Sequence, residues 1–377
     1  MKLLPRYYQN LNRYLKPNKV LILYGPRQVG KTTLLKQFLQ KTSLKWRFDS
    51  GDNLRLQQLL SSQDFHLFAD YVADYQLIAI DEAQHIPRIG QALKILVDQF
   101  PGLRLIATGS SSFELAGQIG EPLTGRKRTL ILYPLSLLEL KKTLSPWELK
   151  QNLADYLVFG GYPEVLTAKT KKEKRLLLQE LVDSYLLKDI LAFEKVKSSH
   201  TLLNLLRLLA FQIGQQVSLS ELGRQLGIDY KTVARYLDLL EKSFILFPLR
   251  GFSRNLRKEI AKKAKYYFYD TGVRNALIQN FNPPPLRNDL GQLWENYIVV
   301  ERLKKSRYRQ LAVNFYFWRT WEGQEIDLVE ERGGRLFGYE IKWQAPKKPR
   351  PPKNWQATYP NARWQLITPE NFLSFVA

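Results

Sequence analysis

"VLILYGPRQVGKTTLLKQFL", residues 20–39, is the stretch on which the fold turns. Val20-Leu21-Ile22-Leu23-Tyr24 is a short unbroken apolar run, as a buried parallel strand requires. Gly25, Pro26, Arg27, Gln28, Val29, Gly30, Lys31 and Thr32 then match G-x-x-x-x-G-K-[ST] without a gap. The glycines let the backbone curl until its N–H groups point at phosphate oxygens. The helix that opens with Lys31, Thr32 and Thr33 adds the positive end of its dipole. Lys31 is placed to reach the β and γ phosphates of ATP, and the Thr32 hydroxyl to ligand Mg²⁺. A strand before and a helix after distinguish this match from a chance glycine-rich turn.

Working outward, "YQLIAIDEAQHI" (75–86) supplies the partner motif. An apolar run, Leu77 to Ile80, ends in Asp81-Glu82. Carboxylates at the C-terminal tip of a parallel strand lie where open α/β sheets bind ligands. Asp81 suits the Mg²⁺ shell and Glu82 suits polarising the attacking water. "LRLIATGSSSFEL" (103–115) reads as a further strand ending in Thr108-Gly109-Ser110. This resembles AAA-type ATPases, in which a core strand ends in a sensor residue. Ser110 is the first choice for that role and Thr108 the second; a plain serine-rich turn is the alternative. In "GEPLTGRKRTLILYPLSLLEL" (120–140), Arg126 follows a glycine just before an apolar run. That context suits an arginine finger reaching the γ phosphate of a neighbouring subunit, which would make the protein a homo-oligomer. An ordinary basic loop is the alternative, since Lys127 and Arg128 follow.

The chain has 377 residues, enough for two to four domains, with 45% hydrophobic and 24% charged residues, both globular values. It has no cysteine, which excludes disulfides and cysteine-ligated zinc. The first residues lack the apolar core of a signal peptide, and no window approaches a bilayer span. The expectation is a cytoplasmic protein away from the membrane. A formal net charge of +22 speaks to partners, with nucleic acid first among them.

Residues 136–212 show leucines at helical spacing, interrupted by "FGGYPEV" (159–165), which is turn chemistry. "VSLSELGRQLGIDYKTVARYLDLLEKSFILFPL" (217–249) reads as two short helices joined by a glycine-containing turn, then a strand-like wing. Asp229, Lys231, Thr232 and Arg235 fall on the outward face of the second helix. Winged helices read DNA or bind proteins. The basic stretch after it favours nucleic acid: Arg250, Arg254, Arg257, Lys258, Lys262, Lys263 and Lys265 are opposed only by Glu259.

From about residue 266 the pattern returns to mixed α and β. A helix over 289–306 carries Glu295 near its start, and the strands "NFYFWRT", "EIDLVEE" and "RLFGYEIKW" follow. Asp327 lies within one strand; Glu340 and Lys342, at i and i+2, share a face of the next. This is the D…(D/E)-x-K arrangement of a nuclease superfamily. In that reading Asp327, Glu340 and Glu295 hold a divalent metal and Lys342 orients a water. An ion pair on an exposed edge strand is the alternative.

The markers "GPRQVGKTTLL", "IAIDEAQ", "LTGR", "FGGYPEV", "YDTGVRNAL", "GQLWENYIVVERL", "FWRTWEGQEIDLV" and "YEIKW" together resemble a prokaryotic family of AAA-type P-loop ATPases. In that family a C-terminal domain of unknown function contains a winged helix and a restriction-endonuclease-like fold. The resemblance implies an α/β multidomain chain. Its parts are an AAA-type parallel-sheet ATPase core (1–135), a helical lid (136–200), a winged helix-turn-helix (201–262) and a PD-(D/E)xK nuclease-like domain (263–377). It implies ATP and Mg²⁺ as cofactors and DNA as a partner. The function expected is an ATPase that binds, remodels or moves along DNA. An ATP-gated nuclease and a regulatory ATPase that binds a protein are the alternatives.

Overall fold

The computed structural model describes residues 4–110, 122–186, 199–252 and 264–377. Val20–Tyr24 (β1) is buried along its length, and the strands Trp46–Ser50 (β2), Leu77–Asp81 (β3), Arg104–Gly109 (β4) and Lys127–Ile131 (β5) join it. The order is β2-β3-β4-β1-β5 and every pairing is parallel. A parallel sheet needs cover on both faces, so its inner strands β1, β3 and β4 are almost wholly buried, while the edge strands β2 and β5 are partly exposed. Leu21 and Leu23 of β1 face a core that includes Leu34, Leu35 and Phe38 of the helix Lys31–Leu39. Val20, Ile22 and Tyr24 face the opposite core, built by the helices Leu54–Ser62, Phe65–Val72 and Ile89–Gln99. The chain is thus an α/β protein with a parallel five-stranded sheet at its N-terminal core.

Beyond β5 come short helices, Leu137–Leu140, Pro146–Gln151, Leu153–Phe159, Pro163–Thr167 and Lys171–Glu180. Two of them open with a serine capping box, Ser136 with Glu139 and Ser145 with Glu148, which satisfies backbone donors that would otherwise be orphaned. The helices Ser199–Phe211, Leu219–Leu226 and Tyr230–Lys242 follow. Gly227 ends the second of these in the left-handed conformation, and Asp229 caps the third by accepting from the backbone of Lys231 and Thr232.

Leu246–Gly251 (β6) and Lys265–Phe268 (β7) pair antiparallel across the expected 262/263 boundary. They belong to a second sheet with Asn314–Arg319 (β8), Glu325–Arg332 (β9), Arg335–Ile341 (β10) and Arg363–Ile367 (β11), in the order β11-β10-β9-β8-β6-β7. The long helix Leu290–Tyr308 precedes β8, and Lys353–Thr358 lies between β10 and β11. Among the described residues no helix is long and apolar enough to cross a membrane.

The two halves are bonded to each other. Leu137 donates its backbone N–H to Glu301 at 2.6 Å, Gly161 donates to Asp270 at 2.7 Å, and Tyr133 donates to the Tyr308 hydroxyl at 3.2 Å. These bonds are buried or nearly so, and burial makes each costly to break.

Candidate functional site

The phosphate loop forms at the C-terminal end of β1. Gly25 has φ 147° and a Cβ there would lie 2.1 Å from the Leu132 carbonyl oxygen, so only glycine fits against the neighbouring chain. Gln28 (φ 60°) and Gly30 (φ 87°) are left-handed, which turns the loop into the helix that Lys31 begins. Val29 is buried and anchors the loop; Pro26 is buried, Arg27 half-buried and Gln28 exposed. Lys31 is buried and its ammonium donates to the carbonyls of Gly25 at 2.9 Å and Pro26 at 2.8 Å. Thr32 and Thr33 occupy the first turn of a nine-residue helix whose N–H groups point back at the loop. This donor set suits the phosphates of a nucleotide.

β4 lies between β1 and β3, and it joins the two motifs. The Thr108 hydroxyl donates to the Asp81 carboxylate and accepts from the Glu82 backbone N–H at 3.2 Å. Asp81 and Thr108 are buried. Ser110, also buried, follows β4 one residue beyond Gly109. The Thr108 hydroxyl thus joins the Asp81 carboxylate to the Glu82 backbone. Glu82 has φ 48°, an unusual value for a non-glycine residue and one that recurs at functional sites. Gln84 donates to a Glu82 carboxylate oxygen, its amide nitrogen is 3.4 Å from His85 Nε2, and His85 Nδ1 is 2.6 Å from Asp52. Nothing in the sequence alone pointed to Gln84, although it lies two residues beyond Glu82.

Arg126 immediately precedes β5, whose first residue pairs with Val20. It therefore lies at the opposite end of β1 from the phosphate loop, roughly 13 Å away at strand rise. Its side chain is 42% exposed and pairs with Asp98 at 2.6 Å.

The second group of residues lies on β9, β10 and the helix Leu290–Tyr308. Asp327 is buried, and its Oδ2 accepts from the Ile341 N–H at 2.8 Å and from the Lys342 ammonium at 3.1 Å. Lys342, one residue past β10, also lies 2.7 Å from Glu340. The structure thus brings Asp327, Glu340 and Lys342 together. Burial and then Asp327 push the Glu340 carboxyl up, while burial opposes the Lys342 charge and the two carboxylates outweigh it. Glu295 accepts from the Tyr267 hydroxyl at 2.6 Å and lies 3.3 Å from the Lys265 ammonium. Burial, with Asp327 next, pushes its carboxyl up to about 7. Among the described residues no three His, Cys, Asp or Glu side chains converge as metal ligands.

The sequence counts Lys265 in the basic stretch that favours nucleic acid, and the structure corrects this. It is 3% exposed and ion-paired to Glu295 and Glu325, because the β7 pleat turns it inward. Arg250 is exposed; Arg254, Arg257, Lys258, Glu259, Lys262 and Lys263 lie outside the described residues. Lys231 and Arg235 are exposed and Thr232 half-buried on the Tyr230–Lys242 helix, whereas the Asp229 carboxylate is engaged as its cap.

A parallel sheet with a glycine loop at the tip of β1 and a carboxylate pair at the tip of β3 defines a P-loop ATPase. An AAA domain family matches residues 17–141, and two families described as domains of unknown function match 150–284 and 290–371. An uncharacterized protein of Mycobacterium tuberculosis is 32% identical over 338 residues, covering 88% of this chain and 72% of its own length. One of Haemophilus influenzae is 25% identical over 384 residues, covering 96% and 92%. The chain belongs to this family of AAA-type ATPases. A solved Walker-type ATPase of Pyrococcus abyssi is 17% identical, with TM-score 0.47 over 69% of this chain and 91% of its own.

Proposed function

We propose that this chain is an oligomeric, Mg²⁺-dependent ATPase that couples its nucleotide state to a grip on DNA. The observation that carries the reading is the contact between Tyr24 and Phe244, whose ring centroids are 5.5 Å apart. Tyr24 directly precedes the phosphate loop; Phe244 lies two residues past the Tyr230–Lys242 helix. A rearrangement of the loop around ATP is therefore felt by the helix that presents Lys231 and Arg235.

In this reading the loop N–H groups and Lys31 hold the phosphates, and Thr32 and Asp81 hold Mg²⁺. Glu82 takes a proton from the attacking water, Thr108 keeps Asp81 in place, and Ser110 senses the γ phosphate. Bound Mg²⁺ supplies charge neutralisation on the transferring phosphoryl group. Arg126, remote from its own loop, serves a neighbouring subunit. The helix-turn-helix with β6 and β7 acts as a winged helix on DNA, and the C-terminal sheet is a nuclease-like fold.

The test is ATP turnover by the purified chain with and without duplex, single-stranded and branched DNA. The DNA is run on a gel beside each reaction. Stimulation with intact DNA supports the proposal. Cleavage that Lys342→Ala abolishes would replace it with an ATP-gated nuclease in which Glu295, Asp327 and Glu340 hold the metal. Turnover indifferent to every DNA would favour a regulatory ATPase with a protein partner.

A further inference from the structure

We propose that Lys265 is a built-in cation, carried by β7 into the C-terminal carboxylate cluster, where it takes the place of a divalent metal and locks the helix-turn-helix segment to the C-terminal sheet. This inference rests on neither ATP turnover nor DNA binding.

The cluster holds four carboxylates from three elements. Glu295 comes from the helix Leu290–Tyr308, Glu325 and Asp327 from one face of β9, and Glu340 from β10. Two lysines sit among them. Lys265 contacts Glu325 and lies 3.3 Å from Glu295; Lys342 lies 3.1 Å from Asp327 and 2.7 Å from Glu340. Arg319 reaches the second Glu325 oxygen at 3.4 Å. Each carboxylate therefore has a cation supplied by the chain.

One oxygen of Glu295 and one of Asp327 are each engaged twice within the chain. Glu295 Oε1 accepts from both Tyr267 and Lys265, and Asp327 Oδ2 accepts from both Ile341 N–H and Lys342. Mg²⁺ asks for oxygens at about 2.0–2.1 Å in near-octahedral array. The Lys265 ammonium, paired with Glu295 and Glu325, repels a divalent charge placed beside them. With Lys265 in place, no three carboxylates among the described residues converge as metal ligands.

The Lys265 ammonium is buried and paired with both Glu295 and Glu325. A buried pair of this kind is strongly destabilising to break, because the partner charge is left in low dielectric. The lysine comes from β7, which pairs with β6 immediately after the helix-turn-helix. Lys265 thus ties that segment to β9 and to the helix Leu290–Tyr308.

The experiment is a Mn²⁺ titration of the full chain without nucleotide, by calorimetry and by the spin-resonance signal of free Mn²⁺. Wild type and Asp327→Asn are expected to bind Mn²⁺ equally. Lys265→Met is expected to gain a site at least about tenfold tighter, which adding Asp327→Asn removes. A wild-type site that Asp327→Asn weakens by about tenfold or more overturns the proposal, as does a folded Lys265→Met that binds Mn²⁺ no better than wild type. If Lys265→Met does not fold while Lys265→Arg does, the need for a charge there supports the proposal, and the wild-type comparison with Asp327→Asn still stands to overturn it.

Discussion

The Tyr24 and Phe244 rings meet at 54° with centroids 5.5 Å apart, joining the root of the phosphate loop to the end of the Tyr230–Lys242 helix. Phe244 has φ 55° and also packs edge-on against Tyr133 and Tyr269, so it touches the ATPase sheet and the C-terminal half at once. Phe244→Ala is expected to leave the KM for ATP within about twofold and to remove most DNA stimulation of kcat. Stability should fall by about 1–3 kcal/mol, less than for a fully buried phenylalanine. Turnover assays and thermal melts read both. Full DNA stimulation in a folded Phe244→Ala protein would show that coupling runs elsewhere.

Thr108→Val removes the hydroxyl that bonds both Asp81 and the Glu82 backbone. Turnover is expected to fall by about tenfold or more, while Glu82→Gln, which removes the base itself, should lose about 10²–10⁴-fold and still bind nucleotide. Lys31→Ala should lose nucleotide binding. Fluorescent nucleotide titration beside kcat separates these effects. Equal loss in Thr108→Val and Ser110→Ala would mean that both hydroxyls serve the site.

Arg126 and the phosphate loop lie at opposite ends of β1. If Arg126 acts across a subunit boundary, Arg126→Ala should be inactive alone. Mixing it with Lys31→Ala subunits should restore part of the turnover, since each subunit supplies what the other lacks. Absence of recovery in mixtures that co-assemble would assign Arg126 a local role beside Asp98.

Asp270 holds the "FGGYPEV" turn to the C-terminal half through the Gly161 N–H and caps its own helix through the Val273 N–H at 3.1 Å. Burial pushes its carboxyl up. Asp270→Ala should cost about 2–4 kcal/mol because two buried N–H groups lose their acceptor, with Asp270→Asn milder. Gly160→Ala should also destabilise, since its φ is 72° and the added Cβ would meet the Asp270 carboxylate at 2.0 Å. Thermal melts that leave Asp270→Ala at wild-type stability would contradict this.

Lys305 donates to the Ser374 and Phe375 carbonyls, and burial, with Arg302 next, lowers its pKa to about 8 from 10.5. The folded chain then binds fewer protons at this site than the unfolded chain between those values. Stability from this residue should therefore rise with pH from about 8 to 10.5, and Lys305→Met should flatten that rise. Denaturant titrations across that range, comparing the two proteins, measure it.

The nucleotide half was legible because its chemistry is local. Gly25 to Thr32 and Asp81-Glu82 carry their geometry in contiguous residues whose strand and helix contexts are also contiguous. The Thr108–Asp81 bond was not, because which hydroxyl meets Asp81 depends on the register of β4 against β3. Asp327, Glu340 and Lys342 were legible as a group through two-residue periodicity. Lys265 was misread because composition cannot tell a solvated lysine from one that a strand turns inward; an isolated lysine opening the apolar "KYYFY" was the available signal. The Tyr24–Phe244 contact joins residues some two hundred positions apart, and no local pattern announces it.

The most direct test of the central claim is ATP turnover in Mg²⁺ by wild type and Phe244→Ala, with and without DNA, beside a gel of the DNA. The account predicts that DNA stimulates the wild type, that Phe244→Ala loses that stimulation while its basal rate is kept, and that the DNA stays intact. Turnover that no DNA changes, or DNA cut by the wild type and spared by Lys342→Ala, would contradict it.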